Sequence, residues 1–150
     1  MTVRRANSSD MAAVTALLEA ANLPPAGLER CIDTCFVAVD EGGGIIAAAG
    51  LEPCGEVALV RSVVVREDLR RAGMGEQVME PTLELARQMG LQALYLFTTR
   101  APDFFARFGF VLKPHRLWPE AMRSCSQYWP AEERDPHNEL MRAMALEPLA

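Results

Sequence analysis

The chain has 150 residues, half of them apolar, with 20 acidic and 15 basic side chains and a formal net charge of −5 at pH 7. That length suits one globular domain over residues 1–150, burying roughly 70% of its unfolded surface. The acidic balance argues against a broad nucleic-acid or anionic-membrane surface, both of which need positive fields, so a small-molecule partner is expected.

Thr2 to Arg5 reads as a first strand. Arg4-Arg5 ahead of apolar letters invites a targeting signal, but Asp10 and Glu19 interrupt the run. Met11, Val14, Leu17, Leu18 and Ala21 instead recur at helical spacing, giving an amphipathic helix that Ser8 or Ser9 caps. No apolar run approaches the ~20 residues of a membrane span, so a soluble, cytoplasmic protein is expected. Pro24-Pro25 and Gly27 break the chain before a short helix at Leu28 to Ile32.

"TCFVAVD", "EGGG" and "IIAAAGLEP" read as strand, turn and antiparallel partner. A long β-branched strand, Val57 to Val65, leads into a helix from about Gly73 to Met89. Pro81 removes a donor and should kink that helix, and Gly90 stops it. "LQALYLFTT" is a strand, "PDFFARFG" a short helix and "FVLKP" a strand. After a Pro- and Trp-bearing connection, Leu140 to Leu146 is expected as an edge strand. The fold class is α+β, a mixed sheet with helices on both faces.

Cys31, Cys35, Cys54 and Cys125 contain no CxxC pair, so a disulfide framework is not expected and buried free thiols are the plain reading. A soft-metal site built from Cys31, Cys35 and a third cysteine is the sharper alternative. His115 and His137 read as ordinary polar residues.

The chemistry concentrates in "VRSVVVREDLRRAGMGEQV". A strand running through glycines into a helix leaves amides unpaired beside the positive end of the helix dipole, which suits an anion. Gly73 and Gly75 let a phosphate approach the main chain, and Arg66, Arg70 and Arg71 add charge. The pattern is neither a P-loop nor a dinucleotide fingerprint.

Arg70-x-x-Gly73-x-Gly75 after a β-branched strand, followed about 30 residues later by "FFARFGF", resembles the GNAT superfamily of acyl-CoA-dependent acetyltransferases. The resemblance implies the GNAT fold, a central, mostly antiparallel sheet with helices on both faces. It also implies acetyl-CoA as co-substrate, with no metal. Arg70, Arg71, Ala72, Gly73, Met74, Gly75 and Glu76 would hold the pyrophosphate of coenzyme A. Val63, Val64 and Val65 would pair with the pantetheine arm, Thr98 would stand where family members place a carboxamide, and Phe105 would pack at the pantetheine end. Phe105 also replaces the tyrosine that often serves as the acid, and Leu59 or Val60 a glutamate base. Glu52 and Glu56 are the remaining candidates for proton transfer through water.

Arg61 shares strand parity with Leu59 and Val63, so it needs an anion: Glu52 or Glu56 in a structural pair, or an acceptor carboxylate. Arg30 is a second candidate for the acceptor. "GLEPCGEVALVRSVVV", "LYLFTTRAPDFFARFGF", Arg116, Pro119 and "MRSCSQYWP" further resemble the short arsenic-resistance N-acetyltransferases of bacterial arsenic operons, although Trp129-Pro130 replaces their Cys-Pro. The implied reaction is acetylation of the primary amine of a small anionic, amino-acid-like or organoarsenical compound. The rivals are a silent coenzyme A-binding module and a thiol-based arsenic(III)-binding protein. A homodimer is compatible with the sequence.

Overall fold

The computed structural model describes residues 1–126 and 141–149. Its strands are β1 (Thr2–Arg5), β2 (Cys35–Val39), β3 (Ile45–Cys54), β4 (Val57–Val65), β5 (Ala93–Thr98), β6 (Val111–Leu112) and β7 (Arg142–Leu146). The helices are α1 (Met11–Ala20), α2 (Met74–Gln88) and α3 (Pro102–Ala106). The strands hydrogen-bond in the order β1-β2-β3-β4-β5-β7-β6, a mixed sheet as expected. Among the described residues no helix is long and apolar enough to cross a membrane.

The chain divides into two compact units, the first comprising residues 1–52 and 60–89 and the second residues 53–59 and 90–150. In the first unit, β2 pairs antiparallel with β1 and β3, with Val37 opposite Arg4 on one side and Ala48 on the other. Cys35 and Val37 join Val14 and Leu18 of α1, with Ala48 and Val64, in one apolar cluster. Alternation turns Ala38 to the opposite face of β2. The helix α2 also packs on β2, and its buried residues include Val78, Met79, Leu83 and Ala86. It runs through Pro81 unbroken, and Thr82 donates its hydroxyl to the Val78 carbonyl at 2.7 Å.

In the second unit, β4 and β5 pair in parallel from Val57↔Ala93 to Leu59↔Tyr95, and β5 pairs antiparallel with β7. Trp118, Met122, Tyr95 and Leu59 lie in a second apolar cluster, with the rings of Tyr95 and Trp118 5.0 Å apart. His115 is buried, edge-on to Phe97, and is therefore part of this aromatic core.

Four expectations need correction. The last strand is not an edge: β7 lies between β5 and β6, because Leu94 to Leu96 are buried and β5 needs a ladder on each side. Asn7 caps the first helical segment in place of Ser8 or Ser9. Its side chain accepts from Ser9 N while Asp10 accepts from Asn7 N, each at 2.9 Å. The short second helix is two 3-10 turns, Leu28–Arg30 and Ile32–Thr34, joined at Cys31, whose φ of −139° is not helical. Finally, Cys54 and Cys125 form a disulfide, with Cα atoms 5.9 Å apart across 71 residues of sequence, and only Cys31 and Cys35 are free thiols. Leu140, His137 and Trp129-Pro130 lie outside the described residues.

Candidate active site

The strand β4 carries the chemistry of the first unit. Arg61 is 3% exposed, and its Nη1 donates to Glu52 Oε1 at 3.0 Å. Glu52 is itself 3% exposed, so it is a buried counter-ion and not a solvated charge at a turn. The need is physical: a guanidinium shut among apolar strands must be neutralised and hydrogen-bonded. Arg61 Nη2 also reaches the Pro25 carbonyl at 3.5 Å, and Nε donates to Ser62 Oγ at 3.1 Å. On the other side of Glu52, Oε2 lies 4.0 Å from Nη1 of Arg30, whose side chain is 58% exposed.

Ser62 is a residue that the sequence did not single out. Its φ is +59°, the left-handed region, in the middle of a strand. Such a conformation costs about 1–3 kcal/mol outside glycine and persists where the surroundings fix it. It interrupts the regular pleat just before Val63, Val64 and Val65. A periodicity argument has no term for a single turned residue inside a strand, so only the Arg61–Ser62 polar pair in a β-branched run could have hinted at it.

Past β4, Arg66 pairs with Asp68 at 2.7 Å and lies 3.9 Å from Asp40. Its guanidinium meets these two partly exposed carboxylates. Arg70 donates Nε–H to the Val65 carbonyl at 3.2 Å and is exposed. Arg71 adopts a φ of +71° and Gly73 one of +81°. This double reversal turns the chain into α2. The first helical bond runs from Gln77 N to Gly73 O at 3.3 Å, so the amides of Met74, Gly75 and Glu76 precede the ladder. Gly73 has no side chain to cap them. A Cβ placed at Gly73 would meet nothing within 4 Å, so the backbone there is open to approach. The loop therefore fits a phosphate group: amide donors, the helix dipole, flanking arginines and room.

The remaining expected residues lie in the second unit. Thr98 is half-buried and its Oγ1 accepts from Ala101 N at 3.1 Å, which fixes the start of α3. Phe105 is 6% exposed, edge-on to Phe104 and Phe110 at 5.1 and 6.1 Å. Glu56 sits in the turn before β4, where it accepts from Gln92 Nε2 at 3.0 Å. Within the first unit the structure thus brings Glu52, Arg61 and Arg30 together.

The two free thiols adjoin this cluster. Cys35 Sγ lies 3.2 Å from the Cys31 carbonyl, and Cys31 Sγ 3.7 Å from the Gly27 carbonyl. Hydrogen bonding with Cys35 draws the Cys31 thiol below its ordinary range, and the Arg61 charge pulls the same way. The same hydrogen bond, with burial, pushes Cys35 well above it. A three-thiolate arsenic(III) site is not available here, because Cys54 and Cys125 are bonded to each other.

Residues 32–112, over half of the chain, match the family model described as Acetyltransferase (GNAT) domain. The chain belongs to the GNAT acetyltransferase family. Within it, the amino-acid acetyltransferase of Pseudomonas putida (strain GB-1) is 35% identical over 103 residues, covering 67% of this chain and 24% of that protein. The amino-acid acetyltransferase of Edwardsiella ictaluri (strain 93-146) is 34% identical over 140 residues, 84% of this chain and 30% of that protein. The chain therefore spans less than a third of the length of these curated relatives. Among solved structures, Rv2747 from Mycobacterium tuberculosis in complex with CoA and NLQ superposes with a TM-score of 0.77 at 23% identity, covering 98% of this chain and 99% of that one. N-acetylglutamate synthase from Neisseria gonorrhoeae, complexed with coenzyme A and N-acetyl-glutamate, gives 0.76 at 20% identity, covering 98% and 35%. These two likenesses establish the fold.

Proposed function

We propose that the protein is an acetyl-CoA-dependent N-acetyltransferase whose acceptor is the primary amine of a small, anionic, amino-acid-like compound. The observation that supports this reading is the turn at Arg71 and Gly73 into α2, whose first helical bond runs from Gln77 N to Gly73 O, with open space where a Gly73 Cβ would stand. In this reading the main chain from Arg70 to Glu76 holds the pyrophosphate of coenzyme A, and Val63 to Val65 offer strand hydrogen bonds to its pantetheine arm. Thr98 and Phe105 are assigned to the same cofactor. Bound acetyl-CoA supplies an activated thioester.

The acceptor enters as a neutral amine. Its nitrogen forms the new bond to the acetyl carbon, the carbon–sulfur bond breaks, and the amine proton passes to water. Phe105 has no proton to give the departing thiolate, so water supplies that one as well. Of the two carboxylates considered for proton transfer, Glu52 is engaged by guanidinium groups, and Glu56 accepts from Gln92 Nε2 in the turn before β4. Neither is assigned as the base. Arg61 is sealed against Glu52, so the direct contact with an acceptor carboxylate falls to Arg30, whose guanidinium is exposed.

Relatives named amino-acid acetyltransferase favour an amino acid as acceptor. An organoarsenical amino acid would use the same contacts, and the resemblance to arsenic-resistance enzymes places such a compound on the test panel. The test is thiol release from acetyl-CoA against amines with and without a carboxylate. Acetyl-CoA binding without release from any amine would instead identify a silent cofactor-binding module. The finer assignments, to the cytoplasm and to a detoxifying role, belong to the same proposal.

A further inference from the structure

The reading above gives Glu52 and Arg61 no contact with either substrate, yet both are sealed from water, with side chains 3% and 0% exposed. A buried ion pair adds little stability over apolar side chains of the same volume. What this pair adds is connection. Glu52 stands on β3 and Arg61 on β4, and Arg61 reaches the Pro25 carbonyl at 3.5 Å and Ser62 Oγ at 3.1 Å. Pro25 lies five residues before Arg30, and Arg30 approaches the second oxygen of Glu52 at 4.0 Å. One carboxylate thus bridges a guanidinium with no access to solvent and one with free access. A long side chain in water samples many rotamers, and a fixed anion near its guanidinium favours those that meet it.

We propose that Glu52 is a positioning residue for acceptor binding: it anchors Arg61 with one oxygen and with the other holds Arg30 where the acceptor carboxylate docks. This rests on the N-acetyltransferase reading and deepens it. The carboxylate of the acceptor then shares the Arg30 guanidinium with Glu52, using the donors that Glu52 leaves free. Glu52 itself touches neither the amine nor the thioester. Acceptor recognition therefore depends on Glu52 only through Arg30, whereas the acetyl-CoA loop does not depend on it.

The test is a double-mutant cycle on steady-state kinetics, with coenzyme A binding by calorimetry as the control for folding. Arg30→Ala is expected to raise the acceptor KM about tenfold, and Glu52→Gln by a similar factor. In both, kcat and the acetyl-CoA KM stay near the wild-type values. The double variant should be no worse than Arg30→Ala alone, because Glu52 acts through Arg30. Should Glu52→Gln not fold, Glu52→Asp keeps a negative charge for Arg61 while withdrawing from Arg30, and the same cycle is run with it. Effects that multiply in the double variant would overturn the proposal. So would a fall in kcat at unchanged acceptor KM with loss of the acidic limb of the pH–rate profile, which would make Glu52 the base. Wild-type protein that binds coenzyme A but acetylates no amine would remove the transferase reading itself, a result distinguishable from either.

Discussion

Within β4, Arg61 meets Glu52 at 3.0 Å with both side chains sealed from water; just past the end of the strand, Arg66 meets Asp68 at 2.7 Å with side chains 45% and 63% exposed. The shorter contact is the weaker one. In water both partners of the outer pair are well solvated and screened, so forming it gains little. Inside the sheet neither partner has water to return to, and losing one strands the other. The same division holds for two glycines. A Cβ at Gly50 would lie 2.2 Å from Cys35 Sγ, whereas one at Gly73 would meet nothing within 4 Å. The chain is closed around Arg61 and Cys35 and open at Gly73.

The largest effect should follow from Glu52→Ala, which leaves the buried Arg61 charge without its Glu52 counter-ion; chemical denaturation should register a loss of about 3–5 kcal/mol. A stability unchanged by this substitution would break the contrast at its strongest point. Next, Gly50→Ala should cost about 1–3 kcal/mol by overpacking, and Cys35→Ala in the same chain should recover part of it. At the open end, Gly73→Ala forces alanine to a φ of +81°. It should cost about 1–2 kcal/mol. If the strain is relieved by re-forming the loop, the loss appears instead as acetyl-CoA binding weakened about tenfold in calorimetry.

A smaller effect concerns acid. A hydrogen bond from Arg4 holds the Asp10 carboxylate below its usual range. Its contribution is present above the unfolded value and is lost as pH falls through the folded one. Arg4→Ala should therefore lower the thermal midpoint at neutral pH and narrow the difference as the buffer is acidified below about pH 4. Arg66→Ala is expected to do least, with a thermal midpoint at physiological salt indistinguishable from wild type.

Much of this arrangement can be read in the residues. Period-two and helical patterns locate most strands and the two longer helices to within one or two positions, since local burial produces both, while α3 ends at Ala106, three residues before the expected Gly109. The turn from β4 into α2 is legible because Gly73 and Gly75 act through their own backbone, whose geometry is local. The failures are partly local, as at the Asn7 cap and the turns around Cys31, and partly non-local. The approach of Cys54 to Cys125 over 71 residues leaves no mark in either segment, and β7 becomes internal only through pairing with β6. Arg61 declares its need for an anion by strand parity, but its choice of Glu52 depends on packing across two strands. The turned Ser62 has no signature of its own.

The most direct measurement is the initial rate of thiol release from acetyl-CoA with a dicarboxylic amino acid, set against the same amine lacking its carboxylates, at matched pH and salt. Release with the amino acid, and a KM at least tenfold higher for the stripped amine, is the predicted result. Equal turnover of the two amines would contradict the anionic acceptor, and binding of acetyl-CoA with no release from either would contradict the transferase.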